Sequence, residues 1–220
     1  MILLLGLAGY MVAATQNDPG DGAFLGRASA VGVLQAAPYP VVHVLESDTF
    51  APGTAVLLSG LGKRGVQDRA EALDGAVVEI AGARMARGDI QGLQLRNGGD
   101  GLRAADGAGA LPEPVDLGRW RLSGEICDGK CLTGAMRPGR GLAHKACANL
   151  CLIGGVPPVF VTTDKVDGTE FFLLADADGG PVTDAILDHT ATLVEAEGRL
   201  ERHGGLHVFR LDPGSLRVVP

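Results

Sequence analysis

Residues 197–219, EGRLERHGGLHVFRLDPGSLRVV, read as two β-strands that meet around His203-Gly204-Gly205. A glycine pair between two apolar-rich runs marks a hairpin, because glycine reaches the backbone angles a tight reversal needs. The same grammar runs outward through the chain. Apolar runs at residues 30–34, 41–45, 55–59, 76–81 and 92–95 are punctuated by Pro38, Pro40, Pro52, Gly53 and the Gly60–Gly65 stretch. A second set lies at 120–126, 159–163, 171–175, 192–200, 206–211 and 216–219. Glycine is abundant, at 34 residues, and aromatics make up only 4%. Many turns in a non-repetitive sequence favour short strands over long helices, so the fold class is mainly β.

The strands divide into two modules, residues 17–112 and 113–220, joined through ADGAGALPEP at 105–114, which has a linker's composition. The modules share a design. Leu73-Asp74 leads into Val77-Val78-Glu79, Gly82, Arg87-Gly88 and Leu93-Gln94-Leu95. Leu187-Asp188 leads likewise into Leu193-Val194-Glu195, Gly198, Arg202 and the run 206–211. Each is a strand, a glycine, a second strand, a hairpin and a third strand, which suggests an internal repeat. The pattern resembles the oligonucleotide/oligosaccharide-binding (OB) barrel, a closed five-stranded architecture that implies no ligand by itself. The expected fold is two small OB-like β-barrel modules, the second carrying a Cys/His-rich loop-helix insertion at residues 124–158.

Composition narrows the function classes. The chain has 220 residues, 46% hydrophobic and 20% charged, enough to bury a real core. Its formal net charge is −7, with no Lys/Arg-rich run, so a nucleic-acid partner is not expected. Residues 1–14, MILLLGLAGYMVAA, carry no charge and precede the turn-prone TQNDPG. Fourteen helical residues span about 21 Å, short of the roughly 30 Å hydrocarbon core. That length suits a signal peptide, with Val12-Ala13-Ala14 offering a cleavage site. The absence of a basic leading region fits an uncleaved anchor or a start that lies further upstream. Residues 1–16 are therefore expected to target the membrane. This puts the protein in the periplasm or another extracytoplasmic place, anchored or secreted, with an envelope protein as a candidate partner.

Several motifs carry little. Gly60-Leu-Gly62-Lys63-Arg64-Gly65 matches GxGxxG, but the helix candidate after it, 66–73, is about two turns long and no alternation of strands and long helices follows. Arg64 stands where a P-loop needs Ser or Thr, so the stretch reads as a glycine-rich connection. Asp176 and Asp178 lack the rest of a calcium loop. His43, His203 and His207 read as strand or hairpin side chains. Asp188-His189 has no nucleophile motif beside it.

The chemistry concentrates in residues 124–158, GEICDGKCLTGAMRPGRGLAHKACANLCLIGGVPP, which hold all four cysteines. Cys127/Cys131 and Cys147/Cys151 form two Cx3C pairs, with His144 three residues ahead of the second. A helix over 144–152 would put His144, Cys147 and Cys151 on one face. Cys127 and Cys131, from a loop after a strand, could complete the set. Thiolates, an imidazole and the nearby thioether of Met136 are the donors that bind copper or zinc. Between Arg121 and Cys151 the five basic residues Arg121, Lys130, Arg137, Arg140 and Lys145 outnumber Glu125 and Asp128, and cationic neighbours favour thiolate. The candidate metal ligands are thus Cys127, Cys131, His144, Cys147, Cys151 and Met136. Two alternatives stand beside a metal site: two disulfides in any of three pairings, stapling a structural or interaction module, and thiol-disulfide exchange. No base and orienting residue beside a cysteine is visible to support a reactive-cysteine enzyme.

The pattern CDxKC…MxPGxGxxHxxCAxxCxxGGxPP resembles a group of exported or membrane-tethered bacterial proteins. It falls on Cys127, Asp128, Lys130, Cys131, Met136, His144, Cys147 and Cys151. The resemblance implies an exported setting and brings no established activity with it.

Overall fold

The computed structural model describes residues 2–15, 20–182 and 184–219. After an N-terminal helix α1 (Ile2–Thr15), the chain forms β1 (Ala23–Gln35), β2 (Val41–Glu46), β3 (Ala55–Ser59), β4 (Val77–Arg87) and β5 (Ile90–Leu95). These strands are neighbours in the order β1-β2-β3-β5-β4, and β4 pairs back onto β1 to close a barrel. β3 and β5 run parallel, and the other neighbours are antiparallel. A helical turn, α2 (Gln67–Ala70), sits between β3 and β4, and the short β6 (Leu102–Ala104) flanks β4.

The second module repeats this plan. It comprises β7 (Pro114–Asp128), β8 (Pro158–Val166), β9 (Thr169–Ala175), β10 (Leu193–His203) and β11 (Leu206–Leu211). Their order is β7-β8-β9-β11-β10, with β10 returning to β7, β9 parallel to β11, and β12 (Arg217–Val218) flanking β10. The chain is therefore mainly β and folds as two OB-like barrels. They differ most between first and second strands. Ala36–Pro40 suffices in the first barrel, whereas the second inserts a π-helical turn at Cys131–Ala135 and helix α3 (Lys145–Ile153).

Closure depends on the first strand of each barrel, which must bend to pair with two neighbours. Gly32 faces both Val44 and Val78, and Gly124 faces both Thr162 and Val194. A Cβ on Gly32 would lie 2.4 Å from the His43 carbonyl oxygen, and one on Gly124 would lie 2.4 Å from that of Val161. Only glycine permits so close a strand crossing. β1 begins well before the apolar run at 30–34, because backbone pairing with β4 extends it to the largely exposed residues 23–27.

Among the described residues, apolar packing falls into four clusters. Leu34, Leu58, Ile80 and Leu93 fill the first barrel, and Ile126, Phe160, Phe172, Leu200 and Phe209 fill the second. A third cluster joins the barrels, with Tyr39, Val41 and Leu57 of the first packed on Cys127, Leu132, Val159, Phe171 and Leu173 of the second. The smallest contains Cys131, Cys151 and Val156, with Cys147 against it. In α1, Leu4, Leu5, Leu7, Tyr10 and Met11 are exposed. Among the described residues no helix is long and apolar enough to cross a membrane. The segment 16–19 lies outside the described residues.

Candidate metal centre

β7 ends inside the protein. Its last residue, Asp128, is fully buried, and its carboxylate works in two directions. Oδ1 accepts the backbone N–H of Cys131 at 2.8 Å, and Oδ2 pairs with Nε2 of His144 at 3.0 Å. A buried carboxylate needs such partners to offset the loss of water. Through them it fixes the start of the π-helical turn and the entry to α3. Thr133 tightens the turn by donating its hydroxyl to the Gly129 and Lys130 carbonyls. Turns of this kind often mark functional positions.

The turn brings Cys131 against α3. Cys147 and Cys151, one helical turn apart, face it from the same side of the helix. The sulfurs of Cys131, Cys147 and Cys151 all lie within 4.8 Å of one another, and Cys131 and Cys147 are 4.0 Å apart. A second group shares Cys131: its sulfur, an Asp128 oxygen and a His144 nitrogen also fall within 4.8 Å of one another. His144 is buried and belongs to this second group, on the Asp128 side of Cys131. It ends a 3₁₀ turn (Leu142–His144) just before α3, so the expected single row of one imidazole and two sulfurs becomes two groups hinged on Cys131.

Two expected ligands stand apart. Cys127 points into the core between the barrels and bonds Glu125 Oε1 at 3.4 Å. Burial, with the Glu125 carboxylate beside it, pushes its thiol well up. Met136, just past the π-helical turn, is exposed and belongs to neither group. All four cysteines are free thiols. The alternative of two disulfides is thus not met, and the arrangement explains why. Two bridges would need Cys127, which the inter-barrel core holds away from the other three.

The cation beside the sulfurs comes from the other barrel. Lys63 Nζ lies 2.6 Å from Cys147 Sγ and 3.9 Å from Cys151 Sγ. Contact with Cys147 raises the lysine's pKa, so it stays an ammonium. Of the basic residues counted from the sequence, Arg121 pairs with Glu197, Arg140 with Glu125 and Arg137 with Asp21. Lys145 donates to the Asp188 carbonyl. Lys130 is buried, and its ammonium donates to the carbonyls of Gly60 and Gly62, at 2.7 and 2.6 Å. It thereby clamps the loop that carries Lys63.

That loop is the GxGxxG stretch. It is a connection between strand and helical turn, as its sequence suggests, and it is also one wall of the cysteine site. Gly65 N donates to Gly154 O at 2.7 Å. A Cβ on Gly65 would lie 2.1 Å from Gly155 O, and one on Gly154 would lie 1.9 Å from Lys63 O. Glycines on both sides let two backbones touch, which is how the loop reaches α3.

The proton distribution is asymmetric. The Cys131–Cys151 hydrogen bond, aided by burial and by Asp128, pushes the Cys131 thiol up. The same bond, with help from the Lys63 charge and against burial, lowers Cys151. The shared hydrogen bond therefore favours the proton on Cys131 and the negative charge on Cys151. Cys147 is the only partly exposed thiol of the four. The Asp128–His144 pair supplies the base and orienting residue that the sequence did not reveal. The thiol beside it, Cys131, is buried and shifted away from the thiolate that a nucleophile needs.

The cluster of Cys131, Cys147 and Cys151, with Asp128 and His144 beside it, is positioned to hold a metal ion. The Cys131–Cys147 edge of the sulfur triangle is 4.0 Å and no edge exceeds 4.8 Å, close enough for one ion to reach all three sulfurs with metal–sulfur bonds of about 2.3 Å after small side-chain shifts. No family model, curated protein or solved structure matches this chain.

Proposed function

We propose that the protein is a metal-handling accessory of the cell envelope, binding a copper or zinc ion through Cys131, Cys147 and Cys151. The observation that carries this reading is the approach of three sulfurs within 4.8 Å of one another with no disulfide among them. Asp128 and His144 support the site by fixing the backbone and environment of Cys131. Changing such outer partners typically costs roughly 10- to 100-fold in metal affinity.

The envelope setting draws support from the uncharged apolar segment at residues 1–14, the small residues Val12-Ala13-Ala14, and the exposed leucines of α1. The cysteine pattern's resemblance to exported bacterial proteins points the same way. The segment would tether the chain to the membrane or be removed on export. An envelope protein that supplies or receives the ion is the partner this role requires.

Thiol-disulfide handling is the second reading. It draws on the opposed shifts of Cys131, raised, and Cys151, lowered, with the partly exposed Cys147 beside them to meet a reductant or oxidant.

One experiment separates the two. The full chain is isolated under reducing, anaerobic conditions, then titrated for thiols and analysed for metal. One equivalent of copper or zinc per chain, lost together in Cys131→Ser, Cys147→Ser and Cys151→Ser, supports metal handling. Metal-free protein that exchanges disulfides with a small dithiol would replace it with the redox reading.

A further inference from the structure

The metal reading leaves open which ion the site takes, and the surroundings of the three sulfurs bear on that choice. Zinc in a structural site wants four ligands in a tetrahedron. Three sulfurs are available, and the carboxylate that reaches Cys131 and Cys151, that of Asp128, has both oxygens engaged, Oδ1 by Cys131 N and Oδ2 by His144 Nε2. His144 lies on the Asp128 side of Cys131, with Nε2 engaged by the carboxylate. Met136 is outside the group, and Cys127 is held in the inter-barrel core.

What does stand beside the sulfurs is Lys63, within reach of Cys147 and Cys151 and also 3.5 Å from the Cys147 carbonyl. An ammonium has three donors and no lone pair, so it can compensate charge but cannot ligate. Its position is not accidental. The Lys63 backbone is fixed by the glycine contact with Gly154, and the loop is clamped by Lys130.

The loop thereby holds a cation that has no lone pair against Cys147 and Cys151. Soft thiolate ligands take both Cu(I) and zinc, so ligand number decides between them, and three sulfurs without a free fourth donor favour Cu(I). Resting on the metal reading above, we infer that the site is a three-coordinate Cu(I) site formed by Cys131, Cys147 and Cys151. Lys63 is its specificity-determining residue, closing the fourth direction with a cation from the other barrel. Cys147, the solvent-facing ligand, is the sulfur through which Cu(I) enters and leaves.

The test loads the full chain anaerobically with Cu(I) from a bicinchoninate-buffered solution, and separately with Zn(II), and records X-ray absorption. Expected is one Cu(I) with three sulfurs at about 2.3 Å and no nitrogen or oxygen ligand. Zn(II) is expected to be stripped by an equimolar chelator of nanomolar affinity. Lys63→Met should weaken Cu(I) binding on the order of tenfold, since one close positive charge is lost at a partly solvated site. The same variant should let bound Zn(II) acquire an oxygen or nitrogen neighbour. Lys63→Arg, which restores the charge, should bind Cu(I) close to wild type, a rescue that a merely structural role for the loop does not predict. Wild-type Zn(II) that resists the chelator and shows a nitrogen ligand, or Lys63→Met that binds Cu(I) as tightly as wild type, would overturn this inference while leaving a metal site. A folded wild-type chain that holds neither ion would overturn the metal reading itself.

Discussion

Lys63 and Cys147 belong to different barrels, yet the lysine ammonium lies 2.6 Å from the cysteine sulfur. The contact exists because Gly154 and Gly65 let the loop backbone lie directly against the end of α3. Barrel docking and site assembly are therefore one event.

Separating the backbones should disturb both. In Gly154→Ala the new methyl would sit 1.9 Å from the Lys63 carbonyl oxygen, so the loop must retreat. We expect a loss of about 1–3 kcal/mol of stability, typical of overpacking, and weaker metal retention. Urea unfolding of the metal-free protein and metal analysis of the loaded protein measure the two effects separately.

The four cysteines should sort into one structural and three binding residues. Cys127→Ala removes only a sulfur from the inter-barrel core and should cost about 1–2 kcal/mol, leaving metal stoichiometry intact. Each of Cys131→Ser, Cys147→Ser and Cys151→Ser should lower stoichiometry. If Cys127→Ala alone abolished binding, the three-sulfur assignment would fail.

Asp128→Asn is nearly isosteric but removes the charge that faces His144. It should reduce metal affinity by roughly 10- to 100-fold, as outer-partner changes do, without abolishing binding. Competition against a chromophoric chelator gives the number. An unchanged affinity would mean that Asp128 serves folding alone.

Stability should depend on pH through His43. Its Nε2 pairs with Gln35 Oε1 at 2.9 Å, and its buried Nδ1 has no hydrogen-bond partner. Burial, reinforced by nearby His203, pushes the imidazole down from 6.5 to about 4. The unfolded chain takes up this proton near pH 6.5, and the folded protein does so only near 4. The folded state holds fewer protons in between, so its stability falls as pH drops through that window and levels off below it. The contribution is about 3 kcal/mol at most, at about 1.36 kcal/mol per pH unit between the two values. Denaturant unfolding at pH 7 and pH 4.5 should show a smaller difference for His43→Gln than for wild type. Equal differences would place the acid sensitivity elsewhere.

The sequence by itself determined the strands, the repeat and the OB-like class. These rest on apolar runs cut by glycine and proline, a local signal that backbone pairing then completes. Leu193-Val194-Glu195 and Gly198 match Val77-Val78-Glu79 and Gly82 because each glycine lets a facing strand approach closely, Gly82 against Gln94 and Gly198 against Arg210. The location of the chemistry was also legible, since cysteine and histidine at short spacing are conspicuous. Only the tertiary structure decided which of those residues meet. Cys127 and Cys131 are four positions apart, but Cys127, next to the end of β7, packs into the core between the barrels, whereas Cys131 begins the π-helical turn. Lys63 and the cysteines are far apart in the chain, so no spacing links them. Their meeting depends on how two closed barrels pack, which is set by Tyr39, Leu57, Leu132 and Phe171 excluding water together. Local patterning encodes elements, whereas the burial of surfaces distant in sequence encodes the site.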